Sequence, residues 1–213
     1  MSHGIYDHIL KETVRYANSY RIKCEFTLGI DELKTFIGIL LLSGYHKVPS
    51  ERDYWSREDL GVPIIQKAMS RNHFQLLKSV IHFCKNDEAK DNTHDRGVKI
   101  GSILSLVKDS FQQFGVFDEC ISVDEMIVKY YGHNPLKQFM RGKPIRFGYK
   151  LWALCGVSGY CYNFDLYFGK SSVDEGNVDL LLGTKVVLKM LEAVKVSNAH
   201  SVFFDNSFTG YDY

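Results

Sequence analysis

CISVDEMIVKYY, residues 120–131, is the stretch whose reading decides the fold. Ile121, Val123, Ile127 and Val128 are β-branched, and neither Gly nor Pro interrupts them, so the stretch reads as a strand. Ile121, Val123 and Ile127 fall on one face, and Asp124, Met126, Val128 and Tyr130 on the other. Apolar residues on both faces predict a strand central in its sheet, covered above and below. An ionised carboxylate in such a place is costly unless something pairs with it. Two kinds of partner satisfy Asp124: a Lys or Arg, or a metal ion. Local pattern alone leaves both open.

Downstream, 131–147 contains Gly132, Pro135, Gly142 and Pro144 and reads as an irregular excursion. Residues 149–157 read as a second strand, and Ser158-Gly159 as a two-residue hairpin turn. Residues 160–168 read as a third strand. Tyr160, Tyr162, Phe164, Leu166 and Phe168 lie on one face, with Cys161, Asn163 and Asp165 on a wetter one that suits a sheet edge. Cys155 and Cys161 face each other across this hairpin, and in a reducing compartment they stay thiols. Thr184 caps a helix over 185–195. Residues 201–204 form a short apolar strand that ends in Asp205.

Upstream, the pattern is helical. Apolar spacing predicts helices over 5–20, 31–45, 71–83 and from Ile100 to Phe114, with a short one starting near Pro63. Ser70 is a good N-cap for the third. Residues 85–99 are charged and read as a loop. The domain boundaries read from this change of period are 1–115, helical, and 116–213, sheet-containing. Trp55 and Trp152 read as core residues, and the spacing of His8, His73, His82 and His94 does not suit a shared metal.

Composition bounds the function. The chain has 213 residues, 45% hydrophobic and 24% charged, with a net charge of +1. That describes a soluble protein with a real core and no global field announcing nucleic acid. None of the five cysteines is at C-x-x-C spacing, which fits a reducing compartment without disulfides or a zinc site. No run is long and apolar enough to span a bilayer, and the first residues do not read as a signal peptide. The expectation is a cytoplasmic or nuclear protein.

The order strand, strand, strand, helix, strand predicts a mixed sheet. A right-handed helical crossover returns strand four beside and parallel to strand one. Asp124 and Asp205 then lie close together. Like charges at that separation require a proton or a cation between them, and Mg²⁺, which prefers hard oxygen ligands, is a natural occupant. A third carboxylate normally completes such a site, and Asp212 lies too near the chain end to serve. Between Met126 and Phe164 there is no Asp or Glu. The same stretch holds Lys129, Lys137, Arg141, Lys143, Arg146 and Lys150, interleaved with Tyr130, Tyr131, Phe139 and Tyr149. Such cations can follow a phosphate backbone and such aromatics can stack on bases. A solvated surface loop is the competing reading.

Three segments in order carry a resemblance: SVDEMIVKYYG at 122–132, KPIRFGYKLWALC at 143–155 and VFFDNSFTG at 202–210. With IDELKTFIGILLLSGYHKVPSERDYWS at 30–56, they resemble the piggyBac transposase family, including its domesticated, transposable-element-derived members. The resemblance implies an α+β chain: a helical dimerisation and DNA-binding region, then an RNase H-like core in the order β-β-β-α-β. It implies a catalytic site of three aspartates holding Mg²⁺ or Mn²⁺, for cut-and-paste DNA transposition. Asp124 matches the first aspartate and Asp205 the second, both catalytic and metal-ligating. The third aspartate, the rest of the core and a cysteine-rich tail have no counterpart, so the core is expected to be incomplete and the chain a fragment or truncated form. The resulting expectation is a nuclear module that binds DNA through Lys137, Arg141, Lys143, Arg146 and Lys150, forms a possible homodimer and is inactive in this form. The alternatives are an active metal-dependent transposase or nuclease in a longer form, and a protein-interaction remnant that does not touch DNA.

Overall fold

A computed structural model describes residues 3–21, 25–86, 97–168, 180–195 and 199–208. The chain forms two compact units, Met1–Leu106 and Val107–Tyr213.

The first unit is helical. α1 spans His3–Tyr16 and ends in a π-helical turn, Ala17–Arg21. α2 spans Ile30–Tyr45, α3 Pro63–Ala68 and α4 Arg71–Val80. α5, Val98–Phe114, begins in this unit and runs past the division at Leu106. The local causes are those the sequence offers. The Glu32 carboxylate accepts the Gly29 N–H at 2.9 Å at the start of α2, and the Ser70 hydroxyl accepts the His73 N–H at the start of α4. Pro63 opens α3, where its missing N–H costs nothing. Ile5, Ile9, Phe36, Phe74 and Leu77 are buried together as the apolar spacing requires. Trp55 donates its indole N–H to the Met69 carbonyl at 2.8 Å and packs on Phe74. One expectation shifts. α4 stops at Val80, short of residue 83. The charged stretch 85–99 falls largely outside the described residues.

The second unit is a mixed sheet. β1 is Cys120–Lys129, β2 Gln138–Phe139, β3 Phe147–Gly156, β4 Cys161–Leu166 and β5 Ser201–Phe204; α6 is Leu182–Leu191. β3 pairs antiparallel with β1 along one edge. Along its other edge it pairs with β2 at one end and β4 at the other. β5 pairs parallel with β1, Cys120 opposite Ser201 through Val123 opposite Phe204. The expected β-β-β-α-β order is therefore present, with β2 added inside the excursion that reads as irregular. α6 covers one face: Val186, Val187 and Met190 pack with Ile121, Val123 and Leu154. From the other side, Phe111 in the second half of α5 packs edge-on against Phe164 of β4.

Several local expectations are corrected. The β3–β4 connection has four residues, Val157 to Tyr160, closed by the Gly156 N–H bonding to the Tyr160 carbonyl at 3.0 Å. Gly159 takes φ +80°, which a side chain would disfavour. A register shift at Leu154/Cys155 breaks the alternation of β4. Asn163, opposite Leu154 on the face that α6 covers, is buried rather than wet, and its amide donates to the Met190 carbonyl at 3.2 Å. Leu181, not Thr184, stands at the N-cap position of α6, with no side-chain cap hydrogen bond. Finally, β1 is central in the sheet but is not covered on both faces: Met126 and Val128 are 41% and 48% exposed, and Asp124 is exposed with them.

Candidate functional site

Asp124 lies in mid-β1, opposite Ala153 of β3. Its face continues through Ser122, Met126 and Val128, the face away from α6. On its other edge, among the described residues, β1 is paired as far as Val123, where β5 ends at Phe204. The residue after each of these is an aspartate, Asp124 within β1 and Asp205 just past the end of β5. The parallel register thus carries the two carboxylates to neighbouring positions, on strands spaced about 4.8 Å apart. Each already accepts its own neighbour's backbone N–H: Glu125 N–H to Asp124 Oδ1 at 2.6 Å, and Asn206 N–H to Asp205 Oδ1 at 2.7 Å. Both are exposed. Because Asp124 is exposed, the argument that a partner must offset its burial falls away.

A cavity of about 480 Å³ opens at this point. Its walls include Ser122, Asp124, Ala153 and Cys155 from the sheet and Lys143, Pro144 and Ile145 from the β2–β3 hairpin. Glu125 and Ile127 also line it, although their side chains alternate to the opposite face. The cavity therefore extends along the free edge of β1, past the end of β5. Asp205 is not among its lining residues.

The five cations singled out in the sequence separate into two kinds. Arg141, Lys143 and Arg146 sit exposed on the hairpin tip, which the Met140 N–H closes onto the Arg146 carbonyl at 2.8 Å. Lys137 lies just before β2, half-buried, its ammonium 5.7 Å from the Phe147 ring centroid. Lys150 is different. It reaches Glu125 at 2.6 Å on the α6 face and lies 3.9 Å above the Trp152 ring. Its charge is already engaged within the sheet.

Cys155 is a cavity residue that sequence reading did not assign to the site. It faces Cys161 in the β3–β4 register. The hydrogen bond with Cys161 lowers the Cys155 thiol to about 7, against burial and the Asp124 charge, which push it up. Cys161 is pushed up by that same bond, by burial and by the Cys155 charge. The signal was present in the alternation of β3, which puts residue 155 on the face of Ala153 and so of Asp124.

The family description Transposase IS4 matches residues 1–213. The chain is 33% identical to human PiggyBac transposable element-derived protein 3 over 208 residues, 95% of this chain and 35% of that protein. It is 33% identical to human PiggyBac transposable element-derived protein 2 over 211 residues, 97% of this chain and 34% of that one. The chain thus spans about a third of the length of the curated relatives it matches. Its fold resembles a chain in the cryo-EM structure of a piggyBac transposase synaptic complex with hairpin DNA. The TM-score is 0.85 at 21% identity, over 98% of this chain and 44% of that one. With helices and a mixed sheet in the order the sequence predicts, and a family match along its whole length, the chain belongs to the Transposase IS4 family.

Proposed function

We propose that the chain is a transposase-derived DNA-binding module. In this reading the β2–β3 hairpin holds a phosphate backbone beside the carboxylates Asp124 and Asp205. The observation that carries it is the shared cavity, which has Asp124 and the hairpin cation Lys143 on its walls. Arg141 and Arg146 extend the positive strip on the exposed tip, and Lys137 flanks it. Lys150, held by Glu125, contributes field rather than a contact.

The two carboxylates fit a divalent ion in donor chemistry and in placement. They are hard oxygen donors at neighbouring register positions, with no cationic side chain in salt-bridge reach among the described residues. Asp124 and Asp205 would hold Mg²⁺ or Mn²⁺, which supplies charge neutralisation at a scissile phosphate and an activated water or hydroxyl. Among the described residues no group of three acidic, His or Cys side chains is placed to hold an ion. Binding without cleavage is the reading we propose for this chain. The adjacency of the two carboxylates favours a second reading, metal-dependent strand cleavage completed by groups outside this chain. A role on genomic DNA places the protein in the nucleus. Leu41 and Tyr45, 64% and 89% exposed on α2, support dimerisation through the helical unit.

The test is DNA binding as a function of salt. Four phosphate contacts, from Lys137, Arg141, Lys143 and Arg146, give a log K against log salt slope of about −3.6 on duplex DNA. Replacing Lys143 and Arg146 by Glu should abolish binding at moderate salt. If the wild-type chain binds no DNA at low salt, or the double variant binds as well as wild type, a protein-interaction remnant becomes the better account. Mn²⁺-dependent nicking that is lost in Asp124→Asn would establish the cleaving reading instead.

A further inference from the structure

We propose that Phe139, Phe147 and Tyr130 form a stacking platform that selects single-stranded DNA, its unpaired bases lying on the row of rings that leads to Asp124. This rests on the DNA-binding reading above and goes beyond it by naming the form of the nucleic acid. Three placements carry it. Phe139 of β2 is opposite Phe147 of β3, and the Tyr130 N–H bonds to the Phe147 carbonyl at 3.2 Å, so the three residues stand side by side across three strands. Strand alternation puts them on the face of Tyr149, Val128, Met126 and Asp124, over a run of about 20 Å from Tyr130 to Asp124. The rings are paired and open: Phe139 to Phe147 at 5.1 Å between centroids, Tyr130 to Tyr149 at 4.9 Å, with Phe139 59% and Phe147 42% exposed.

Exposed aromatics in a contiguous patch mark a binding surface. The charge around this one identifies the occupant. Lys137 lies over the Phe147 ring, Arg141, Lys143 and Arg146 sit on the hairpin between Phe139 and Phe147, and the chain from Met126 to Phe164 contains no acidic residue. An apolar protein partner needs no such ring of cations, whereas a polyanion with π-faces matches both features. In a duplex those faces are already stacked on one another, so only unpaired bases can use the row.

Fluorescence anisotropy separates the possibilities. The full chain is titrated with a labelled oligothymidine and, separately, with a duplex of equal length. Wild type should bind the single strand more tightly. Phe139→Ala should weaken the single-strand complex roughly tenfold, the loss of one base stack, and leave the duplex unchanged. Lys143→Glu with Arg146→Glu should weaken both. Phe139→Trp keeps a ring in place, and its added indole emission should be quenched by the oligothymidine. Binding of duplex but not single strand, equal loss of both in Phe139→Ala, or an unquenched indole signal in Phe139→Trp would each overturn the platform while leaving DNA binding standing. Failure of wild type to bind either nucleic acid would remove both readings.

Discussion

Asp165→Asn should cut the cords that hold two helices to the sheet edge. Asp165 stands on β4, opposite Trp152. One carboxylate oxygen accepts Lys108 of α5 at 2.9 Å and the other accepts Lys189 of α6 at 2.6 Å. Lys189 is 48% exposed, so its arm contributes about 0.5 kcal/mol. Lys108 and Asp165 are 25% and 21% exposed, so that arm is worth about 1.5–3 kcal/mol as a charge-assisted hydrogen bond. Asn accepts through one atom only and turns an N–H donor toward the remaining lysine, so the net loss should be about 2 kcal/mol. With a urea m-value of about 2 kcal/mol/M, the midpoint falls by about 1 M. Trp152 reports the transition once Trp55, the other tryptophan of the chain, is replaced by Phe in both arms. The pH dependence supplies the sharper check. Burial pushes the Asp165 carboxyl up, but the Lys189 and Lys108 hydrogen bonds and charges outweigh it and hold it below the ordinary 3.8. A depressed carboxylate contributes stability that is present above 3.8 and lost as pH falls through the lower folded value. The gap between wild type and Asp165→Asn should therefore be full at about pH 7 and at about pH 5, narrow once the pH drops below the ordinary 3.8, and close only as it falls through the lower folded value. A gap under about 0.5 kcal/mol at pH 7, or one undiminished at pH 3, would refute the assignment.

Cys155 should alkylate with iodoacetamide at a rate that climbs as pH passes about 7, because its thiolate is stabilised by Cys161; Cys161→Ser should move that climb to higher pH, as peptide mapping of the labelled chain will show. Tyr162→Phe should cost about 1–3 kcal/mol in a thermal melt. Its fully buried ring carries the hydroxyl that donates to the Val116 carbonyl at 2.7 Å and accepts the Asp118 N–H at 2.9 Å. Gly148→Ala should destabilise the β1–β3 pairing by roughly 1–3 kcal/mol, since the added carbon would meet the Val128 carbonyl oxygen at 2.2 Å. Hydrogen exchange across 124–129 should then accelerate, and unchanged protection would count against the close approach.

What the sequence made legible was periodicity and order. The alternation of 120–131 gives β1, the apolar run before Asp205 gives β5, and the helix between them forces the parallel return. What it hid depends on register. Lys150 looks like one more cation in a basic run, and only the pairing of Ile127 with Lys150 brings Glu125, two residues away, within reach of it. Asn163 looks solvated until α6 is placed over the face on which it stands opposite Leu154. Met126 and Val128 look buried because hydrophobicity reports what a residue tolerates, not what lies above it.

The same point explains where the site falls. β1 has ten residues and β5 four, so the longer strand outruns its parallel neighbour from Asp124 onward. A parallel pair that ends in this way leaves backbone groups unpaired on one edge and a crevice beyond the carboxyl end of the shorter strand, where ligands of open α/β sheets gather. Here the last paired positions, Val123 and Phe204, are each followed by an aspartate. The hairpin that brings Lys143 to the same cavity is closed by the two-residue pairing of β2 on β3. Strand length, more than any single side chain, leaves Asp124 and the hairpin's Lys143 on one opening. Extending β5 past Asp205 would close that edge even with every candidate residue retained.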